Sequence, residues 1–152
     1  MKTIVLGVGN PILQDDGVGL HVIYALRQEM HDPMITLETA STGGMNLLDL
    51  IRGYEKVILI DAIKDHQSTP GEVKRCLLSD FHTVHSCNPH DVSLSEALLV
   101  AKQLGETHLP SEIILIGITV NHTDEFGEHL SSQVSAALPT AVAMVLEELK
   151  KA

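Results

Sequence analysis

Three short runs without a polar interruption do most to limit the fold: Thr3-Ile4-Val5-Leu6-Gly7-Val8, Val57-Ile58-Leu59-Ile60, and Ile113 to Ile118. A strand covered on one face alternates apolar and polar side chains, whereas a strand covered on both faces loses the alternation. Between these runs the apolar period lengthens. Val18, Val22 and Leu26, with Ile23 and Met30, follow helical spacing and predict a helix from about Asp16, with Asp15 and Asp16 at its positive end. Met34 to Thr39 predicts a second strand, and the turn Ser41-Thr42-Gly43-Gly44 opens a short helix carrying Met45, Leu48 and Ile51. Pro70-Gly71 leads into a weaker strand from Val73 to Leu78. Asp91 or Ser93 then caps a helix through Leu94, Ala97, Leu98 and Ala101. A last helix from about Ser131 to Lys150 lines up Val134, Leu138, Val142, Val145 and Leu149, with a kink or a late start expected at Pro139. Strands alternating with helices imply βαβ units. The expected fold is α/β, a three-layer α/β/α sandwich around a mostly parallel twisted sheet of about five strands. No repeat or linker interrupts it, so residues 1–152 are expected to form a single domain.

Composition narrows the class of function. Ten Lys and Arg against 20 Asp and Glu leave a formal net charge of −10, the wrong sign for a phosphate-backbone binder or an anionic membrane surface. With 3% aromatic residues and no Trp, the core must be aliphatic. No apolar run approaches the roughly 18 residues of a membrane span. The run from Ile4 to Gly9 is too short for a secretory signal and passes straight into Asn10-Pro11. Two cysteines, Cys76 and Cys87, make no disulfide framework. The chain reads as cytoplasmic, with no nucleic-acid or membrane partner.

In open parallel sheets, sites lie beyond the carboxyl ends of the strands. Asn10, Asp15 and Asp16 follow the first strand, Asp61 follows the third, and His90 precedes the helix through Leu94. Oxygen and imidazole donors together suit a borderline divalent ion such as nickel, zinc or manganese. The same residues also read as a helix cap, a strand-end turn and a surface histidine, and spacing alone leaves both readings open. A nucleotide reading of Gly7-Val8-Gly9-Asn10-Pro11-Ile12 fails. Ile12 stands where the dinucleotide fingerprint has its third glycine, and two carboxylates open the helix that would hold pyrophosphate. P-loop, nucleophile-elbow and zincin motifs do not occur. The segment His82-Thr83-Val84-His85-Ser86-Cys87-Asn88-Pro89-His90 admits a zinc site, a Cys87 nucleophile served by His90 and Asp61, or a solvated loop. Asp124-Glu125-Phe126-Gly127-Glu128-His129 reads as a solvated acidic loop.

These residues carry a resemblance. The block from Gly7 to Gly19, Gly7-Val8-Gly9-Asn10-Pro11-Ile12-Leu13-Gln14-Asp15-Asp16-Gly17-Val18-Gly19, resembles the N-terminal signature of the nickel–iron hydrogenase maturation proteases. The likeness continues in order through Thr42-Gly43-Gly44-Met45, Leu59-Ile60-Asp61-Ala62, Pro70-Gly71 and Pro89-His90-Asp91. It implies the sandwich derived above and an endopeptidase that removes the C-terminal extension of a nickel–iron hydrogenase large subunit after nickel insertion. The family's metal positions fall on Asp16, Asp61 and His90. These would sense nickel carried by the substrate, with no permanent cofactor. Three protein ligands leave positions open for a metal shared with another protein. Asp16 and Asp61 are the expected catalytic carboxylates, one of them serving as base toward a water polarised by the metal. Asn10 and Thr42, Gly43 and Gly44 are expected to meet the substrate, the precursor of the large subunit, which a monomer would engage transiently.

Two departures from the family pattern stand out. Many members carry an acidic residue where this chain has Thr39, and any such role passes to Glu38. Relatives often show Gly-Ile-x-Pro after the last strand, against Gly117-Ile118-Thr119-Val120 here. Two rivals remain: a non-enzymatic nickel-sensing chaperone of the same subunit, and a cysteine peptidase using Cys87 and His90. The sequence assigns nothing to His82, His85, His122 or His129.

Overall fold

A computed structural model describes residues 2–41, 44–64, 68–76, 94–121 and 125–151 of the chain. Strand β1 (Thr3–Val8) is buried along its whole length. A 3-10 turn (Gln14–Gly17) leads into helix α1 (Val18–Glu29), followed by β2 (Ile35–Ala40), α2 (Gly44–Ile51) and β3 (Lys56–Ile63). Then come β4 (Val73–Cys76), α3 (Leu94–Gln103), β5 (Glu112–Thr119) and α4 (Ser132–Lys150).

The strands form one five-stranded sheet in the order β2-β1-β3-β5-β4. All neighbours are parallel except β4, which runs antiparallel to β5 at the edge. The expected α/β class and mostly parallel sheet are therefore observed. Val5 of β1 stands level with Leu37 and Ile58, and Leu59 of β3 with Leu115. Central strands covered on both sides need apolar residues at every position, which is why β1, β3 and β5 were visible as uninterrupted runs.

The two faces bury separate cores. Val5, Ile58, Ile60, Ala62, Ile114 and Ile116 pack against α1 and α4, through Val22, Leu26, Val134 and Val145. Ile4, Leu6, Val57, Leu59 and Leu115 pack against α2 and α3, through Leu47, Ile51, Leu94 and Ala101. Helix α1 lies directly on the sheet backbone. A side chain at Gly19 would run into the main-chain oxygens of Ile60 and Val8, so only glycine admits this approach.

Several boundaries differ from expectation. Helix α1 begins at Val18, because Asp15 and Asp16 belong to the preceding 3-10 turn. Strand β3 runs past Asp61 to Ile63, held by pairing with β5 as far as Thr119. Helix α4 shows no late start at Pro139 and is unbroken through it. Pro139 is exposed and so is Ser135, whose carbonyl loses its amide partner but faces water. Leu77 and Leu78, expected in β4, and the capping candidates Asp91 and Ser93 lie outside the described residues. Among the described residues, no helix is long and apolar enough to cross a membrane.

Candidate functional site

The chain leaves β1 for β2 on one side, then passes to β3 on the other. That reversal falls at the carboxyl ends of β1 and β3, the place where open α/β sheets bind their ligands. Both sequence-predicted carboxylates sit at this edge. Asp16 arrives on the turn that follows β1, and this turn packs against β3. Asp61 belongs to β3 itself, one position beyond Ile60, which stands level with Gly7 of β1.

Asp16 is 3% exposed, and its Oδ2 accepts the Asn10 backbone N–H at 3.0 Å. Its own N–H donates to the Leu13 carbonyl at 3.1 Å, which closes the turn. Asn10 adds a second brace, its Oδ1 accepting the Ile12 N–H at 3.1 Å. Predicted as a substrate contact, Asn10 thus also shapes the loop that presents Asp16. Asp61 is fully buried and its Oδ1 accepts the Ala62 N–H at 2.7 Å. Because Ile60 and Ala62 face α1 and α4, Asp61 occupies the opposite face with Val57 and Leu59, toward α2 and α3.

Helices α2 and α3 run side by side. Arg52, just past the end of α2, forms a forked ion pair with Glu106, just past the end of α3, at 3.0 Å on both arms. Their amino ends therefore lie together toward the carboxyl edge of the sheet. His90 precedes the first residue of α3, Leu94, by four positions in the sequence and lies outside the described residues, as do Thr42, Gly43, His82, His85 and Cys87. Gly44 is the first residue of α2. Among the described residues, no three His, Cys, Asp or Glu side chains gather as a metal set. Asp16 and Asp61 supply two of the three proposed donors, and their oxygen chemistry fits a divalent ion.

Asp15 was expected beside Asp16 as a charge at the start of α1. The structure turns it the other way. It is fully buried, and both its oxygens hold Ser131: Oδ1 accepts the Ser131 N–H at 2.6 Å, and Oδ2 accepts the Ser131 hydroxyl at 2.8 Å. Ser131 is the N-cap of α4, so Asp15 lends its charge to the positive end of that helix. A second link joins the same two segments. Gln14 N–H donates to the Gly127 carbonyl and Gly127 N–H to the Ile12 carbonyl, both at 2.8 Å. Sequence reasoning missed Ser131 and Gly127. A serine before a long helix signals an N-cap, but nothing in the chain names a partner 116 residues away.

The two departures acquire positions. Glu38 is exposed on the edge strand β2, level with Leu6, and Thr39 is level with Gly7. Val120, where relatives often have proline, uses its N–H on the Ile63 carbonyl at 3.0 Å, a bond proline cannot make. Thr119 beside it is 2% exposed and anchors the Pro70-Gly71 turn, its hydroxyl donating to the Thr69 carbonyl at 2.6 Å and accepting the Glu72 N–H at 2.9 Å.

Comparison with known proteins agrees with this architecture. A model of hydrogenase maturation proteases matches residues 20–148. The hydrogenase 2 maturation protease of Escherichia coli strain K12 is 28% identical over 156 residues, spanning 99% of this chain and 92% of that protein. Among solved structures, the hydrogenase maturating endopeptidase HybD from E. coli has a TM-score of 0.79 at 26% identity, covering 99% of this chain and 93% of its own. A hydrogenase 2 maturation peptidase from a Thaumarchaeota archaeon has a TM-score of 0.71 at 30% identity, covering 99% of each chain.

Proposed function

The chain belongs to the hydrogenase maturation protease family and is a peptidase, and from that premise we propose that it removes the C-terminal extension of a nickel–iron hydrogenase large subunit once nickel has been inserted. The observation that carries the proposal is that Asp16 and Asp61, two nearly inaccessible carboxylates, are both delivered to the carboxyl edge of the sheet, one by the turn after β1 and the other by the adjacent strand β3. Buried carboxylates are costly, and two near one another repel. A divalent cation arriving with the substrate relieves both costs, so productive docking depends on nickel being present. His90 is assigned as the third donor. Asn10, Thr42, Gly43 and Gly44 are assigned to the substrate peptide.

One carboxylate then serves as general base. It takes a proton from the attacking water as oxygen adds to the scissile carbonyl, and the proton passes to the departing amine. The chain works as a cytoplasmic monomer that meets its substrate transiently, and its net charge of −10 favours a partner with a basic approach surface.

The test is a cleavage assay on precursor large subunit, nickel-loaded and nickel-free in parallel. Cleavage of the loaded form alone is expected. Binding to the loaded subunit without cleavage would point to a chaperone role instead, and cleavage of both forms would remove nickel sensing from the account. Asp16→Asn should abolish cleavage. Cys87→Ser should leave it intact, which separates this reading from a cysteine peptidase.

A further inference from the structure

We propose that Asp15 is the positioning residue of this site: its carboxylate, closed on Ser131, fixes the turn that carries Asp16 and so sets where the Asp16 carboxylate stands. The inference rests on the reading of Asp16 as a functional carboxylate. It concerns a different residue and a different set of contacts.

Asp15 and Asp16 are consecutive, fully or nearly fully buried, and used in opposite directions. Asp16 reaches back to the end of β1 through Asn10, and Asp15 reaches across to α4 through Ser131. The two bonds to Ser131 are short and charge-assisted, the strong class of protein hydrogen bond. They also displace the ordinary arrangement. An N-cap serine normally turns its hydroxyl onto an amide of its own helix, and Ser131 makes no such bond. Its hydroxyl is given to Asp15 instead. The helix recovers its capping charge from a residue 116 positions earlier in the chain.

The turn has need of such an anchor. Gln14 holds a positive φ of 45°, a conformation side chains disfavour, and its backbone is held there by Gly127. On the far side of Asp15 the chain enters α1, whose close seat on the sheet is set by Gly19. Between these points, the Asp15 side chain ties the turn to α4, a helix of 19 residues. Without it, the turn loses its side-chain tie to α4 and keeps the Asn10 N–H on Asp16 Oδ2, the Asp16 N–H on the Leu13 carbonyl and the backbone bonds to Gly127. Catalytic geometry tolerates little drift, and a displacement near 1 Å costs up to about a hundredfold in rate. Both Asp15 oxygens are already engaged by Ser131, so Asp15 acts through the turn and not on the substrate.

Four variants test this: Asp15→Ala, Asp15→Asn, Ser131→Ala and Ser131→Thr. Asparagine preserves the clamp without its charge, since its Oδ1 accepts the Ser131 N–H and its Nδ2 donates to the hydroxyl. The first readout needs no substrate. In the amide NMR spectrum of the free protein, the Asn10 proton bonded to Asp16 Oδ2 should move upfield in Asp15→Ala and hold its place in Asp15→Asn and Ser131→Thr. The second readout is kcat and KM on nickel-loaded precursor. Asp15→Ala should lose about ten- to a hundredfold in kcat with KM nearly unchanged. Ser131→Ala should lose less, and Ser131→Thr should restore the rate. If Asp15→Ala does not fold, Ser131→Ala carries both readouts, because it removes one bond and leaves the backbone bond.

An Asn10 resonance and a kcat unmoved in Asp15→Ala overturn the proposal. So does an Asp15→Asn variant as slow as Asp15→Ala with Ser131→Ala unaffected, because then the charge matters and the clamp does not. A wild-type protein that cleaves no precursor defeats the functional reading of Asp16, while the Asn10 resonance still decides the clamp.

Discussion

Lys56 Nζ donates to the main-chain carbonyl of Glu148 at 2.6 Å, with Lys56 only 2% exposed. The bond joins the first residue of β3 to the last turn of α4, at the edge of the sheet opposite Asp61. A second, longer bond reaches the Lys151 carbonyl at 3.4 Å. Carbonyls at a helix C-terminus lack intrahelical partners and carry the negative end of the dipole, so a buried ammonium satisfies them and is itself satisfied.

Replacing Lys56 by methionine keeps the apolar stem and removes the charge. It leaves the α4 carbonyls without their buried donor, at a cost of about 2 kcal/mol on the scale of charged hydrogen bonds. Urea unfolding should show that loss as a lower midpoint at unchanged slope. Cleavage of precursor at 25 °C should match wild type, since the contact is at the far edge from the site.

Glu148 itself predicts a pH dependence. Burial raises its carboxyl pKa, but the hydrogen bonds from Arg75 and Lys151 and their charges outweigh burial, and the group titrates below its ordinary 4.5. Arg75 Nε lies 2.8 Å and Lys151 Nζ 3.2 Å from Oε1. A carboxyl depressed in the folded state contributes stability that is fully present above the unfolded value, and it is lost as pH falls through the folded one. Melting temperatures of wild type and Glu148→Gln should therefore differ at pH 6 and converge between about pH 4.5 and the lower folded pKa. Both cations are about half exposed, so added salt should shrink the gap at pH 6.

Much of this molecule was written locally. The three uninterrupted apolar runs locate β1, β3 and β5 because burial on two faces acts on each residue independently. Asp16 and Asp61 could be picked out as candidates because each is a carboxylate that follows an uninterrupted apolar run, one in the turn beyond β1 and the other within β3 just past Ile60. Opposite fates for adjacent residues were not. Asp15 and Asp16 look alike to any rule based on helix starts, and only Ser131 separates them. Nothing in the sequence marked Lys56, because its acceptors belong to a helix that ends about 90 residues later. Val120 looked like a lost proline until the bond to Ile63 gave its N–H a use.

Asp61 offers a test of charge against geometry. Asp61→Asn removes the charge and keeps the shape, whereas Asp61→Glu keeps the charge and adds a methylene at a fully buried position. An extra methylene in a packed site costs about 1–3 kcal/mol or is absorbed by displacing the carboxylate. Both variants should cleave nickel-loaded precursor about a hundredfold more slowly than wild type. An Asp61→Glu enzyme within a factor of two of wild type would show that a carboxylate anywhere near the strand end suffices.

Gly9 and Gly19 should separate damage to the site from damage to the fold. A side chain at Gly9 would collide with the main-chain oxygen of Asp16, and one at Gly19 with the main-chain oxygens of Ile60 and Val8. Backbone atoms cannot step aside as a flexible side chain can, so in each case a segment must move. At Gly9 that segment is the turn carrying Asp16, which lies at the rim of the sheet. At Gly19 it is α1, whose Val22, Ile23 and Leu26 lie in the core. Gly19→Ala should therefore cost about 1–3 kcal/mol in unfolding free energy, the usual penalty of overpacking. Gly9→Ala should unfold closer to wild type yet lose most of its kcat, because the carboxylate of Asp16 moves with its backbone. Measuring both quantities on both variants decides it. Equal losses of stability with equal losses of rate would mean that the Asp16 turn and the core move as one body.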